Sequence, residues 1–360
     1  MATRSEALGT SLAHAGWLER LRSRPAVLLV VGIVALVVVL ILGVGLGSVS
    51  VAPAETVAIL AHRLFGLDLG TTWTPAAETI VVDLRLPRVL SAMVVGLGLA
   101  VAGTTFQGIL RNPLADPYVL GTASGAALGA AIGVLLPIRI VLLEFGLVQI
   151  FAFVGAILAV TVVYRFSRTG TLAPLTSLLL TGYAVGSLLA AGLAMTMYLS
   201  GTNLRQIFYY LLGGFEGSSW LQLLLTTPII LAATVAILLR ARSLNGFLLG
   251  EESASHLGID VRRERAILLG LASLITAAAV SIAGLIGFVG LVVPHVVRLV
   301  VGPNARWVLP LSALFGASLL AAADLLARLV GGIPVGVVTA IIGAPFFLVL
   351  LRRARSGYEL

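Results

Sequence analysis

Long apolar runs separated by short polar segments dominate this chain. Ten stretches of roughly 17–25 mainly apolar residues have the length that crosses a bilayer core of about 30 Å. They lie at about 26–47, 88–107, 120–137, 144–164, 172–199, 220–239, 266–285, 287–302, 308–330 and 334–351. The pattern predicts an all-α polytopic membrane protein with about ten transmembrane helices. The first run, Ala26 to Gly47, is too long for the apolar region of a signal peptide and has no obvious cleavage site, so it reads as a retained span. The stretch from Gly284 to Gly302 is the least regular; it carries Pro294, His295 and Arg298 and reads as a short span joined tightly to the one before it.

The polar segments orient the chain. An even number of spans puts both termini on one side, and arginine counts choose that side as the cytoplasm: 17 of 23 arginines then lie inside and six (Arg63, Arg85, Arg88, Arg139, Arg205, Arg328) outside. The organisation expected is a cytoplasmic segment 1–25, a transmembrane domain 26–352 and a cytoplasmic tail 353–360. Residues 48–87 form a long outside segment, and residues 240–265 the longest inside loop. Residues 200–219 read as an interfacial helix, with Phe208, Tyr209 and Tyr210 at the membrane boundary, followed by a Gly-rich turn.

Composition sharpens this picture. Of 360 residues, 59% are hydrophobic and only 11% charged, with mean hydropathy +1.11; an ordinary soluble domain carries about 25% charge. The net charge of +8 reads as positive-inside bias rather than affinity for nucleic acid. The absence of cysteine excludes disulfides, thiolate metal sites and cysteine nucleophiles. All 23 basic residues are arginine, so the chain has no Walker A lysine and no Schiff-base lysine. If ATP drives this protein, another chain binds it.

Several motifs carry physical meaning. Gly121, Gly125, Gly129 and Gly133 recur every fourth residue, a spacing that on a helix makes a smooth stripe for close packing. Ser124 stands within that segment without the Gly-x-Ser-Gly context or a placed base that an intramembrane protease needs. Asp324 and Arg328 are four apart inside a span and can pair on one helix face. His295 and Arg298 read as interfacial anchors near the inner end of theirs. No chain of carboxylates crosses the membrane, which argues against a proton- or sodium-coupled carrier. Arg85 and Arg88 stand just outside a span, against the positive-inside rule, either as headgroup anchors or facing acidic groups of an external partner. Ala102-Gly103, Phe106, Gly108 and Asn112-Pro113 resemble Ala283-Gly284, Phe288, Gly290 and Val293-Pro294, about half a chain apart. That is either an inverted five-helix repeat or chance likeness between small-residue helices. In the inside loop, Gly250, Glu251 and Glu252 followed by Ala254, Leu257, Ile259 and Val261 suggest a short amphipathic helix, a turn at Gly258 and a second helix. Such an element either docks a soluble subunit or packs on its own chain.

The run LRLPRVLSAMVVGLGLAVAGTTFQGILRNPLADPYVLGTASGAALGA (84–130), the loop LGEESASHLGI (249–259), GLIGFVGLVVPHVVRLVVG, ADLLARL and IPVGVVTAIIGAPFFLVLL together resemble the FecCD family. Its members are permease subunits of type II ABC importers for iron–siderophores, haem and vitamin B12. The resemblance implies a ten-span permease in the cytoplasmic (inner) membrane, paired with a second permease chain as homodimer or sister subunit. It also implies two ABC ATPase subunits holding ATP and Mg, and a periplasmic or lipid-anchored substrate-binding protein. No cofactor belongs to the chain itself. By this resemblance Gly250, Glu251, Glu252, Ala254, Leu257 and Gly258 form the ATPase-coupling loop. Arg85, Arg88 and Arg328 meet acidic residues of the binding protein. Asn112, Leu114, Leu175 and Thr176 form the cytoplasmic gate, although Pro174 makes the last pair's stretch read differently. The expected cargo is an iron–siderophore, with vitamin B12 (cobalamin) or haem as the alternative; a stand-alone carrier or channel is the alternative from another class.

Overall fold

The computed structural model describes residues 24–356 apart from Ser48, Ser50, Thr71, 138–140, 143–144 and 168–174. The expected N-terminal segment with Arg4, Arg20 and Arg22, the outside Arg139, the inside Arg168, Pro174 and tail residues 357–360 lie outside the described residues. The described residues form fourteen α-helices. They are α1 (Pro25–Gly45), α2 (Pro53–Phe65), α3 (Pro75–Leu110), α4 (Thr122–Leu135), α5 (Leu147–Ser167), α6 (Leu175–Leu199) and α7 (Leu204–Leu212). The rest are α8 (Trp220–Leu238), α9 (Ala241–Leu248), α10 (Glu251–His256), α11 (Val261–Ala283), α12 (Val289–Val301), α13 (Ala305–Leu329) and α14 (Val335–Ser356). The β structure among them is one two-residue antiparallel pairing of Val141–Leu142 with Phe145–Gly146. The fold is a polytopic all-α membrane protein.

Seven helices (α1, α3, α5, α6, α8, α11, α13) are long and apolar enough to cross a membrane. Three more apolar helices, α4, α12 and the first part of α14, complete the ten expected runs. With 14 and 13 residues, α4 and α12 rise only about 20 Å, less than the ~30 Å hydrocarbon core. Each is preceded by a non-helical link, 111–121 before α4 and 284–288 before α12. The apolar runs at 120–137 and 287–302 therefore correspond to shorter helices than expected.

Irregular backbone away from water must find protein partners, and the two links partly supply each other. The Tyr118 hydroxyl donates to Ile286 O at 3.0 Å and accepts from Ile286 N at 3.2 Å. Asn112 Oδ1 accepts from Leu114 N, and Asp116 Oδ1 from Tyr118 N, closing two local turns ahead of α4. Gly214 N donates to Ala283 O at the end of α11.

A span order repeats. Helices α1, α3, α4, α5 and α6 have 21, 36, 14, 21 and 25 residues, and α8, α11, α12, α13 and α14 have 19, 23, 13, 25 and 22. In both halves the short helix is third and follows an irregular link. Five crossings per half make the halves opposite in orientation, as inverted repeats require. The residue match expected from sequence marks this correspondence only in part: Ala102 and Gly103 lie inside α3, whereas Ala283 and Gly284 end α11. The element order puts α3 opposite α11, and the residue match starts on that pair but drifts out of register, setting Gly108 of α3 against Gly290 of α12.

Helix α3 is the axis of the molecule, with 83% of its apolar window buried, whereas α1 (17%) and α6 (11%) lie at the periphery. Small residues let neighbours reach α3: a Cβ at Gly96 would strike the Gly316 carbonyl of α13, and one at Gly103 the Gly290 carbonyl of α12. Along α4, a Cβ at Gly125 or Gly129 would collide with the α5 backbone at Gly155 or Phe151, and one at Gly133 would lie 2.9 Å from Leu147 O. Gly121 differs from these three. It is the N-cap of α4 at φ 76°, a left-handed conformation that suits glycine, and it stands before the packed stripe.

Candidate functional site

Three groups of functional candidates lie at the two ends of the bundle. At the expected outer end, Arg85, Arg88 and Arg328 converge on internal acceptors. Arg85 is 7% exposed; its Nη1 donates to Val44 O (3.0 Å) and Gly45 O (2.8 Å), and its Nη2 to Val49 O. Arg328 Nη2 donates to Gly43 O at 2.7 Å and Nη1 to Leu46 O at 3.1 Å. These oxygens belong to the last turn of α1 and the segment after it, where carbonyls have no partner within the helix and the helix dipole favours cations; Gly45 O also accepts from Val51 N. The remaining charge is met by Asp324, which is fully buried. Its Oδ1 accepts from Arg88 Nε (2.9 Å) and Nη2 (2.8 Å), and its Oδ2 from Arg328 Nε (3.1 Å).

The expected Asp324–Arg328 pair is therefore present, and Arg88 joins it from 236 positions away. Headgroup anchoring is not what holds Arg85 and Arg328: carbonyl capping accounts for both. Of the three, Arg88 keeps the most exposed side chain, 18%. It reaches the rim of a cavity of about 150 Å³ that Tyr209, Glu216, Gln222 and Gly284 also line.

At the expected cytoplasmic end, α9, α10 and the start of α11 form a compact hairpin. Gly250 (φ 105°) and Gly258 (φ 76°) make the turns on either side of α10, and Asp260 caps α11 by accepting from Arg263 N at 3.0 Å. Glu251 Oε1 lies 2.5 Å from Nη2 of Arg265, whose side chain is 6% exposed, so α10 is pinned to α11. The apolar set expected on one face divides. Ala254 is fully buried, Ile259 partly, while Leu257 is 53% exposed and Leu249, just before the Gly250 turn, 67%. Glu252 is also exposed.

Of the gate candidates, Asn112 is exposed and Leu114 partly buried in the 111–121 link. Leu175 begins α6 and packs on a cluster containing Leu120, Val163 and Leu178 that does not include Leu114; Thr176 is exposed. The structure thus joins Asn112 to Leu114 within the link and sets Leu175 and Thr176 at the start of α6.

Arg298 is not a headgroup anchor: its Nη1 donates to Gln107 Oε1 at 2.9 Å. His295 stands edge-on to Phe346 with ring centroids 6.4 Å apart. Gln107 escaped sequence reasoning. Its signal was a carboxamide within an otherwise apolar run, Thr105-Phe106-Gln107-Gly108.

Comparison with known proteins agrees with this architecture. Residues 35–353 match the FecCD transport family. The cobalamin import system permease protein BtuC of Halobacterium salinarum is 45% identical over 83% of this chain and 79% of its own. The hemin transport system permease protein HmuU of Yersinia pestis is 40% identical over 81% and 89%, and the Fe(3+)-citrate import system permease protein YfmD of Bacillus subtilis 37% identical over 79% and 85%. A solved structure described as a metal-chelate type ABC transporter in an inward-facing conformation superimposes with TM-score 0.77 at 30% identity, over 90% of this chain and 98% of that one. A match across nearly all the spans, relatives above the identity at which family is in question, and a shared helical fold lead to one conclusion: the chain belongs to the FecCD transport family, as a multi-pass permease subunit of an ABC importer for cobalamin, haem or iron-chelate cargo.

Proposed function

We propose that this chain, with a second permease copy or sister subunit, forms the path by which a metal chelate passes from an external substrate-binding protein to the cytoplasm, driven by two ABC ATPases. The observation that carries the reading is the α9–α10 hairpin. It is anchored to the bundle by Glu251–Arg265 and by buried Ala254, yet it presents Leu249, Leu257 and Glu252 outward. Exposed leucines on a rigidly held hairpin fit a protein interface better than a free surface. In this reading the hairpin receives an ATPase, both termini are cytoplasmic, and the membrane is the inner one. The outer rim at Arg88 receives the binding protein, with Arg85 and Arg328 holding that rim together from within. Asn112, Leu114, Leu175 and Thr176 line the cytoplasmic exit.

For the cargo, the 45% identity to a cobalamin permease supports a corrin. An iron chelate is the second reading, supported by the iron-citrate relative at 37%. The test is uptake into proteoliposomes of cyanocobalamin, haemin and a ferric siderophore, with and without a partner ATPase and binding protein. Uptake of one chelate only when all components and ATP are present is expected. Transport by this chain alone would overturn the importer reading in favour of a carrier or channel.

A further inference from the structure

Helix α12 contains a proline, Pro294, at its sixth position. Proline has no N–H, so the carbonyl four residues earlier, Gly290 O, loses its helical donor. That carbonyl faces α3: a Cβ at Gly103 would run into it. One turn further along α3, on the same face, stands Gln107, 1% exposed. Its Nε2 lies 3.4 Å from Gly290 O, 3.2 Å from Leu291 O and 3.4 Å from Ala115 O in the inner link. Its Oε1 accepts from Arg298 Nη1. Chemistry fixes the direction of the amide, because guanidinium can only donate and carbonyls can only accept. One side chain thus bridges α3, α12 and the 111–121 link, and supplies a donor where α12 lacks one.

We propose that Gln107 is a positioning residue that keeps the link 111–121, with Asn112 and Leu114, docked on α12 by acting as the donor that Pro294 does not provide. Gly290 and Leu291 lie on α12, and Ala115 follows Leu114 directly, so movement of the link away from α12 requires this amide to release at least one side. The inference rests on the permease reading only for its meaning in transport; the contacts themselves are tested without cargo or ATPase.

The chain has no cysteine, so Leu114→Cys gives a single reporter on the link. In the full chain in lipid vesicles or nanodiscs, its reaction rate with a soluble maleimide is measured beside thermal unfolding. Gln107→Leu is expected to raise the labelling rate about tenfold, the equivalent of about 1.4 kcal/mol, and to lower the unfolding midpoint. Adding Pro294→Ala returns an N–H to α12, so it should recover much of the midpoint without slowing the labelling, since Ala115 O still lacks its donor. Gln107→Glu, which keeps the acceptor for Arg298 and loses the donors, should label as fast as Gln107→Leu and serves if that variant fails to fold. Labelling at the parent rate in both variants, or a Pro294→Ala addition that recovers no stability, would overturn the proposal.

Discussion

Neutralising Asp324 tests the outer cluster most directly. Asp324→Asn keeps the shape of the side chain and removes the charge that lies against Arg88 and Arg328, whose side chains are only 18% and 10% exposed. An Asn amide also turns an N–H toward groups that can only donate. Breaking a buried pair by removing one partner costs about 3–5 kcal/mol, because the other charge is left uncompensated. Two features reduce that here. Arg328 keeps its bonds to Gly43 O and Leu46 O, and Arg88 has an outlet to the cavity beside it. A loss of about 3 kcal/mol is therefore expected, on the order of 5 °C in the unfolding midpoint of the purified protein. The sharper test is a cycle with Arg88→Met. If uncompensated charge is the cause, adding Arg88→Met to Asp324→Asn removes one of the stranded cations, and the double variant is no less stable than Asp324→Asn alone. Strictly additive losses, or an Asp324→Asn midpoint within about 1 °C of the parent, would refute the argument.

Three other perturbations separate the parts of the molecule. Leu257→Asp places a charge on the exposed hairpin and should weaken co-purification of the ATPase by on the order of 2 kcal/mol while leaving the permease folded; undiminished pull-down would remove α10 from that interface. Gly129→Val puts a branched side chain where Phe151 O already excludes a Cβ, so α4 and α5 must separate and yield of folded protein should fall sharply; normal yield and an unchanged midpoint would contradict the packing. Arg85→Met removes the side-chain donor of Val44 O, at about 1–3 kcal/mol for a buried acceptor, while Gly45 O keeps Val51 N, and should speed hydrogen exchange selectively at that end of α1; exchange unchanged there would show that the cap is not what holds it.

What the sequence made legible followed from local rules. Apolar runs located the seven helices long enough to span and three shorter apolar ones, four-residue glycine spacing located the tight face of α4, and the i,i+4 spacing of Asp324 and Arg328 located their pair. Turn signals drew the hairpin, because Gly250 and Gly258 act on residues within one turn of themselves. The failures have a common cause in distance along the chain. Hydropathy counts side chains, so the apolar residues Val119, Leu120, Leu285 and Ile286 hid two stretches of non-helical backbone. The backbone of Ile286 in the second is held by the hydroxyl of Tyr118 in the first, 168 positions away. The apolar face assigned to α10 divided because burial of Ala254 and exposure of Leu257 depend on where α9 and α11 lie, which periodicity does not encode.

The outer arginines show how such a miss can mislead about function. The positive-inside rule treats an arginine as a charge that chooses a side of the membrane, so arginines on the unfavoured side seemed to need an external anion. In the fold they meet a different electrostatic demand. Helix α1 is mostly unburied along its length, and its outer end presents carbonyls at the negative pole of the helix dipole. Arg85 from α3 and Arg328 from α13 donate to these carbonyls, and Asp324 balances Arg328 and Arg88. The same guanidinia therefore fasten a peripheral helix to two well-buried ones, and lysine could not replace them, since each arginine serves several acceptors in fixed directions at once. A docking role for this end of the molecule rests on what the cluster leaves exposed, the edge of Arg88 and the rim around Glu216, and not on the number of arginines that the sequence places there.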